Sequence, residues 1–172
     1  ARRLFPREQK FMAKRKLRVA LWTLIVAIAA AGLFLGILVL AGFGTVGSGV
    51  WNTLHRNGEL ITGRTGGGVT LHIAKILVRD LAKVRATTRE VPAGILTTDW
   101  KSLVADPAVE IVVELIGGTT DAFDIVAAAL RAKKPVVTGN KALLAERGVV
   151  LFAISREMDT PIHFEAAVAG GI

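Results

Sequence analysis

Apolar runs and amphipathic segments alternate along most of the chain, as strands and helices do in a mixed sheet. Apolar strand-like runs cover residues 69–73 with 76–78, 109–116, 135–138 and 161–165. Helical spacing or capping residues mark 46–57, 100–105, 122–132, 142–147 and 149–158, and five glycines make 58–68 a loop. Strands that alternate with helices predict an α/β fold built on a doubly wound parallel sheet.

Polar residues inside or beside these runs add detail to that prediction. Thr98 and Asp99 precede the short helix at 100–105, and Thr120 or Asp121 is expected to cap the helix at 122–132. The nearly continuous apolar run at 109–116 suits a parallel strand that is buried on both faces. Glu114 lies inside that run, so its carboxyl group needs a polar partner.

A glycine-rich turn joins the first apolar run to the first helix. It reads Gly42-Phe43-Gly44-Thr45-Val46-Gly47, a G-x-G-x-x-G pattern between a strand and a helix. That context favours a dinucleotide-binding site of the Rossmann type over a turn without a ligand. In such a site the first glycine allows the tight turn, the second lets the backbone approach a pyrophosphate, and the third lets helix and strand pack closely.

The end of the second predicted strand carries Arg79 followed by Asp80. In a dinucleotide fold, an acid at this position binds the 2′-hydroxyl of the adenine ribose, whereas an arginine accommodates a 2′-phosphate. Because Arg79 comes first, the sequence favours NADP over NAD as the cofactor. The alternative is a pair of solvated charges at the end of a strand.

An apolar stretch at 19–40 precedes the glycine turn and has two interpretations. Its 22 residues contain one polar side chain, Thr23. As a helix they would extend about 33 Å, enough to cross a membrane as an anchor. That anchor would compete with the first strand of the sheet for the same residues: with 36–41 as that strand, only 19–35 would remain, which is at the short limit for a membrane span. In the second interpretation 22–40 is an insertion within a first strand that runs from 16–21 into Ala41.

Composition and charge exclude several classes of site. The chain has no cysteine, which excludes disulfides, thiolate nucleophiles and cysteine–zinc sites, and its three histidines lack metal-ligand spacing. The formal net charge is +8, but the basic arm at 1–18 carries eight basic residues against one acid. That +7 leaves +1 for the rest, so the folded part shows no electrostatic footprint for nucleic acid.

Four blocks beyond residue 41 lie at the ends of predicted strands. They comprise Gly42-Phe43-Gly44-Thr45-Val46-Gly47-Ser48-Gly49-Val50, Val113-Glu114-Leu115-Ile116-Gly117-Gly118-Thr119, Val136-Val137-Thr138-Gly139-Asn140-Lys141-Ala142-Leu143-Leu144-Ala145 and Phe164-Glu165-Ala166-Ala167-Val168-Ala169-Gly170-Gly171-Ile172. Taken in this order, the four blocks resemble one family, the N-terminal NAD(P)-binding domain of homoserine dehydrogenase. The resemblance covers about 130 of the 172 residues, and residues 1–15 and 22–40 have no counterpart. It divides the chain into the arm at 1–18, the apolar segment at 19–40 and the NAD(P)-binding domain at 41–172.

The resemblance implies the NAD(P)H-dependent reduction of L-aspartate 4-semialdehyde to L-homoserine, a step in threonine, methionine and isoleucine biosynthesis. It assigns Phe43, Thr45 and Val46 to the pyrophosphate and ribose, together with the three glycines of the turn. Arg79 would face the adenosine phosphate and Thr119 the nicotinamide end. Lys141 would lie between cofactor and substrate as a catalytic residue; the alternative is a solvated lysine at the start of a helix.

A sodium site is also implied by the resemblance. Its ligands would be Glu165 and the backbone carbonyls of Val168, Gly170 and Ile172, all oxygen atoms as a hard cation prefers. The family's substrate-binding and dimerisation domain is absent from this sequence. We therefore expect this chain alone to bind the nicotinamide cofactor with little turnover, and the complete enzyme to be a cytoplasmic homodimer. The rival interpretation is a membrane-anchored nucleotide-binding module without catalysis.

Overall fold

A computed structural model describes residues 34–64, 68–83, 91–92, 94–164 and 167 of the chain. Ten elements follow one another in these ranges. They are β1 (Phe34–Ala41), α1 (Thr45–Arg64), β2 (Val69–Leu77), β3 (Leu96–Thr97), α2 (Trp100–Ala105), β4 (Ile111–Glu114), α3 (Thr120–Arg131), β5 (Val136–Thr138), α4 (Lys141–Met158) and β6 (Ile162–His163).

The six strands form one sheet in the order β3-β2-β1-β4-β5-β6. The pairs β1–β4, β2–β3, β4–β5 and β5–β6 are parallel, with Ala41 beside Glu114 and Glu114 beside Thr138. This is the strand order of a Rossmann fold, in which the order reverses between β1 and β4. The predicted doubly wound parallel sheet is therefore confirmed.

The chain divides into two compact units, Gly36–Gly58 with Leu71–Ile172 and Ala1–Leu35 with Glu59–Thr70. Of the second of these, the structure describes residues 34–35, the last turns of α1 and residues 68–70. The site described below lies entirely in the first unit.

Apolar residues cover both faces of the sheet because β1 alternates its side chains. Leu38 and Leu40 belong to a cluster with Phe43 and Trp51 of the glycine turn and α1. Val39 and Ala41 join the opposite cluster, which includes apolar residues of α2, α3 and α4 such as Leu130. Each fully buried leucine or valine of this kind stabilises the fold by about 1.5–3 kcal/mol. The carboxyl edge of the sheet is thus held on a core that is packed on both sides.

The end of the apolar stretch supplies the first strand. β1 takes residues 34–41, so the end of the apolar stretch forms the first strand, a helix cannot cover the whole of 19–40, and 34–41 rather than 16–21 leads into the glycine turn. The remainder of the stretch and the basic arm lie outside the described residues. Among the residues that the structure describes, no helix has the length and apolar character needed to cross a membrane.

Three helix predictions need correction. The segments 142–147 and 149–158 belong to a single helix, α4, which runs through Gly148. α1 runs to Arg64 instead of ending at 57, with a kink at Asn57 (φ −120°, ψ 18°), so residues 58–64 are helical where a loop was expected. α3 begins at Thr120, and Thr119 takes the N-cap position without a side-chain hydrogen bond. The expected Thr120 or Asp121 cap is therefore wrong. By contrast α2 begins and ends as predicted, and Asp99 Oδ1 accepts hydrogen bonds from the backbone of Lys101 and Ser102.

Candidate cofactor site

The glycine turn at the end of β1 is fixed between the neighbouring strands. Gly42 donates its backbone N–H to the carbonyl of Leu77 over 3.0 Å, and Leu115 donates to the carbonyl of Ala41 over 2.7 Å. Gly42 has φ +109°, and a Cβ at this position would lie 2.6 Å from the carbonyl oxygen of Leu115. A residue with a side chain would be strained there for both reasons, so the tight turn requires glycine.

Gly44 and Gly47 differ in the space around their Cβ positions, which is open at Gly44 and crowded at Gly47. A Cβ on Gly47 would lie 2.1 Å from the carbonyl oxygen of Gly42, because α1 packs directly on the turn. A Cβ on Gly44 would meet no atom within 4 Å. Gly44 accepts the N–H of Ser48 over 2.9 Å and thus starts α1, whose first-turn N–H groups point away from the helix. Such a helix start binds anions, phosphates included.

A cleft of about 170 Å³ opens over this turn at the carboxyl edge of the sheet. Its walls come from three strand ends and comprise Gly42, Phe43, Gly44, Leu77, Val78, Arg79, Leu115, Ile116 and Gly117. Arg79 reaches across the cleft and donates from Nη2 to the carbonyl of Gly117 over 2.9 Å. Phe43 contributes to the wall of the cleft but is buried in the core, with 2% of the residue exposed. The cleft thus unites Gly42, Phe43, Gly44 and Arg79 of the predicted site.

The other predicted residues lie beside the cleft rather than in its walls. Thr45, Val46 and Gly47 form the first turn of α1, and Val46 is 62% exposed. Thr119 precedes α3, and Lys141 is the exposed first residue of α4. Asn140, next to Lys141, donates from Nδ2 to the carbonyl of Gly118 over 2.8 Å. That bond joins the two segments that carry Thr119 and Lys141.

Glu114 at the end of β4 has the polar partners that its buried position requires. Its side chain is fully buried and accepts hydrogen bonds from Thr138 Oγ1 over 2.5 Å and from the backbone N–H of Ile116 over 2.8 Å. Asn140 Nδ2 lies 3.4 Å from its Oε1. Burial raises the pKa of the Glu114 carboxyl, while the bonds from Thr138, Ile116 and Asn140 act in the opposite sense. The apolar run at 109–116 singled out Glu114, but no sequence pattern indicated Thr138 and Asn140 as its partners.

Replacing Glu114 with glutamine is expected to flatten the pH dependence of stability. Because the folded-state pKa is raised, the folded chain holds a proton that the unfolded chain releases above about 4.5. The stabilisation that protonated Glu114 contributes is fully present below the unfolded-state pKa of about 4.5, and it is lost as pH rises through the raised pKa of the folded state. Urea unfolding between about pH 4 and 8 should therefore show wild type losing stability relative to E114Q. E146Q, on the exposed face of α4, controls for net charge, and parallel curves for wild type and E114Q would contradict the assignment.

The predicted sodium site lies apart from the glycine turn in the sequence, in the last residues of the chain. The predicted sodium ligands Glu165, Val168, Gly170 and Ile172 lie outside the described residues. Within the described ranges, no group of three or more histidine, aspartate or glutamate residues could hold a metal.

A second cavity of about 250 Å³ lies between α1 and β2, where the rings of Trp51 and His55 stack 5.8 Å apart. Its lining shares no residue with the glycine turn.

Comparison with known proteins identifies the class that this fold and cleft define. Residues 42–165 match the family model for the NAD-binding domain of homoserine dehydrogenase. The chain therefore belongs to the homoserine dehydrogenase family through its NAD-binding domain.

Particular relatives support the same assignment. The homoserine dehydrogenase of Bacillus subtilis is 43% identical over 133 residues, which cover 77% of this chain and 30% of the relative. The crystal structure of a homoserine dehydrogenase from Thiobacillus denitrificans is 42% identical, with a TM-score of 0.73 over 82% of this chain and 32% of the other. A hyperthermophilic archaeal homoserine dehydrogenase in complex with NADPH is 22% identical with a TM-score of 0.61, which shows a shared fold. This chain spans about 30% of the length of the curated relatives it matches.

Proposed function

We propose that this chain is the cofactor-binding part of a homoserine dehydrogenase that reduces L-aspartate 4-semialdehyde to L-homoserine. The observation that carries the proposal is the contrast among the three glycines of the turn. Backbone atoms crowd the Cβ positions of Gly42 and Gly47, whereas that of Gly44 is open. A turn that only had to reverse the chain would need the first and third glycines but not the second. An open second glycine at the switch point of the sheet suits the approach of a pyrophosphate.

Different residues around the cleft would contact different parts of the cofactor. The glycine turn and the first turn of α1, including Thr45 and Val46, would hold the pyrophosphate. Arg79, at the end of β2, would meet the adenine ribose and its phosphate. Thr119 and Lys141, at the ends of β4 and β5, would face the nicotinamide, which supplies the hydride when the cofactor is bound. The ammonium group of Lys141 would stabilise the negative charge that develops on the aldehyde oxygen.

The position of Arg79 in the cleft favours NADP over NAD. Replacing Arg79 with serine is expected to raise the Kd for NADPH about tenfold or more, because a charge-assisted hydrogen bond to the 2′-phosphate is lost. The Kd for NADH should change by less than about twofold. Fluorescence titrations with both nucleotides measure these values. D80N is the matched control at the neighbouring position. Loss of NADH binding in D80N with NADPH binding intact in R79S would instead assign the site to NAD.

Turnover requires the part of the enzyme that lies outside the roughly 30% of the relatives' length matched by this chain. Hydride transfer needs both reactants held in attack geometry, and the described residues form a cleft for the cofactor alone. The test is complementation in trans with the remaining part of the Bacillus subtilis relative, produced separately. Aspartate semialdehyde should then drive NADPH oxidation above the rate of either part alone, and the Lys141→Ala chain should not support it. Failure of wild type to complement, with that part folded and NADPH bound, would contradict the enzymatic proposal.

The apolar segment bears on the membrane-anchored alternative. Since β1 uses residues 34–41, the stretch before it keeps 15 apolar-rich residues, 19–33. As a helix these would extend about 22 Å, less than the roughly 30 Å of a hydrocarbon core. We therefore favour the cofactor-binding enzyme part, cytoplasmic like the enzyme it resembles, over a membrane-anchored module. Retention in membranes after carbonate extraction would favour the module instead.

The sodium ion and the dimer are proposals that rest on the resemblance alone. Sodium would be held by Glu165 with the carbonyls of Val168, Gly170 and Ile172, and the homodimer would form in the complete enzyme.

A further inference from the structure

Three buried polar side chains form a connected network at the carboxyl ends of β4 and β5. Glu114 and Thr138 are fully buried, and Asn140 is 9% exposed. Thr138 Oγ1 donates to Glu114 and accepts the backbone N–H of Asn140 over 3.0 Å. Within the described residues every buried side-chain nitrogen and oxygen has a hydrogen-bond partner, so this network is fully satisfied. A satisfied buried network fixes one arrangement of the segments that it joins.

Asn140 makes the connections that reach the cleft. Its Oδ1 accepts the backbone N–H of Leu143 over 3.0 Å and so caps α4. Its Nδ2 donates to the carbonyls of Ile116 and Gly118 over 2.9 and 2.8 Å. Every partner of Nδ2 is an acceptor and the partner of Oδ1 is a donor, so the hydrogen-bond pattern determines the orientation of the amide. The side chain therefore clamps the turn after β4 to the first residue of α4.

The position of the clamp in the fold indicates which half of the cofactor it serves. A Rossmann sheet consists of two mononucleotide-binding halves that meet at the switch point. Arg79, at the end of β2, belongs to the half that receives the adenine nucleotide. The clamp joins the ends of β4 and β5 in the other half, where the nicotinamide nucleotide binds. Thr119 and Lys141 directly follow the two segments that it connects.

We propose that Asn140 and Glu114 are positioning residues for the nicotinamide half of the cofactor. They hold the turn 117–119 and the start of α4 in their bound arrangement before the cofactor arrives. Glu114 acts through Asn140, since Oε1 faces its amide nitrogen and Oε2 is held by Thr138. The inference rests on the proposed function and adds to it two residues that touch neither reactant.

The test compares a ligand that spans both halves with one that fills only the adenine half. Asn140→Ser keeps an N-cap acceptor for α4 but loses the two donations to the turn. The Kd for NADPH is expected to rise about fivefold to tenfold, while the Kd for 2′,5′-ADP stays within about twofold. Glu114→Ala should shift the ratio of the two values in the same direction. Glu114→Gln keeps the acceptor at Oε1 and should leave the ratio of the two Kd values at its wild-type value.

Two further variants separate positioning from stability. Lys134→Met removes the buried ammonium group that donates to the carbonyls of Asp106 and Val109 before β4, at the opposite edge of the sheet from the cleft, and should lower the melting temperature without changing the Kd ratio. Thr138→Val preserves the shape of the side chain and should shift the ratio of the two Kd values in the same direction as N140S. It replaces N140S as the test variant if N140S does not fold. The positioning role would be overturned if N140S raised the Kd values for NADPH and 2′,5′-ADP equally. It would also be overturned if N140S and T138V both left the ratio of the two Kd values unchanged. Failure of the wild-type chain to bind either ligand would overturn the proposed function itself, and the inference with it.

Discussion

Replacing Gly44 with alanine is expected to weaken NADPH binding about tenfold to a hundredfold and to leave the melting temperature nearly unchanged. In the folded chain a Cβ at this position meets no atom within 4 Å, and φ lies outside the left-handed region, so the fold can accept the methyl group. The bound pyrophosphate would have to approach through the same space. Crowding a close-packed contact costs about 1–3 kcal/mol, which corresponds to this range of affinity.

Gly49→Ala is the matched control for this prediction. Gly49 is also exposed, also has open space at its Cβ position and lies one turn further along α1. Alanine there should stabilise the helix by about 0.5–1 kcal/mol and leave the Kd for NADPH unchanged. Fluorescence titration gives the Kd, and thermal unfolding monitored by circular dichroism gives the melting temperature. Equal NADPH affinity for G44A, G49A and wild type would show that the open face of the turn is not where the pyrophosphate binds.

Replacing Gly47 with alanine is expected to cause a large loss of stability, whereas G44A leaves stability nearly unchanged. The new methyl group would lie 2.1 Å from the carbonyl oxygen of Gly42 and 3.0 Å from its carbonyl carbon. Both are backbone atoms of a turn that is hydrogen-bonded to β2, so they cannot move as a flexible side chain would. We expect a net destabilisation of about 2–3 kcal/mol, after the helical gain of alanine over glycine is subtracted.

Urea unfolding of G47A beside G49A measures this effect, because the two variants make the same substitution in one helix. A loss of 2–3 kcal/mol corresponds to a fall in melting temperature of roughly 4–12 °C for a chain of this size. NADPH binding should weaken as well, since α1 must shift away from the turn. If G47A unfolds at the same urea concentration as G49A, the close packing of α1 on the glycine turn is wrong.

Local signals in the sequence were enough to predict several elements of this fold. The glycine turn lies between β1 and α1 as expected, and α2 has its predicted bounds because Asp99 caps it through adjacent backbone N–H groups. These features depend on residues that are close in sequence. The strand ends likewise placed Arg79, Thr119 and Lys141 at one edge of the sheet, since parallel strands share their carboxyl edge.

Features that depend on distant residues were missed. β3 has only two residues, Leu96 and Thr97, and exists through its pairing with Ile76 and Leu77 of β2. No local periodicity could indicate it. The uniformly apolar stretch before the glycine turn left two candidates for the first strand, 36–41 and 16–21 joined to Ala41, and no local signal decided between them, whereas β1 is Phe34–Ala41.

The polar network beneath the cleft could be predicted only in part. The apolar strand required a partner for Glu114, but Asn140 is 26 positions away and reaches it only because β4 and β5 are neighbours. The available sequence signal was a threonine and an asparagine at the end of the next apolar strand. That signal is equally typical of a helix cap, which Asn140 also provides.

The most direct test of this account is a fluorescence titration of the wild-type chain with NADPH. If the glycine turn, Arg79 and the start of α1 form a working half-site, binding should be saturable, with a Kd in the micromolar range. It should also weaken in G44A but not in G49A. Absence of saturable binding by a chain that unfolds cooperatively would contradict the central claim, because the cleft would then have the shape of a cofactor site without its function.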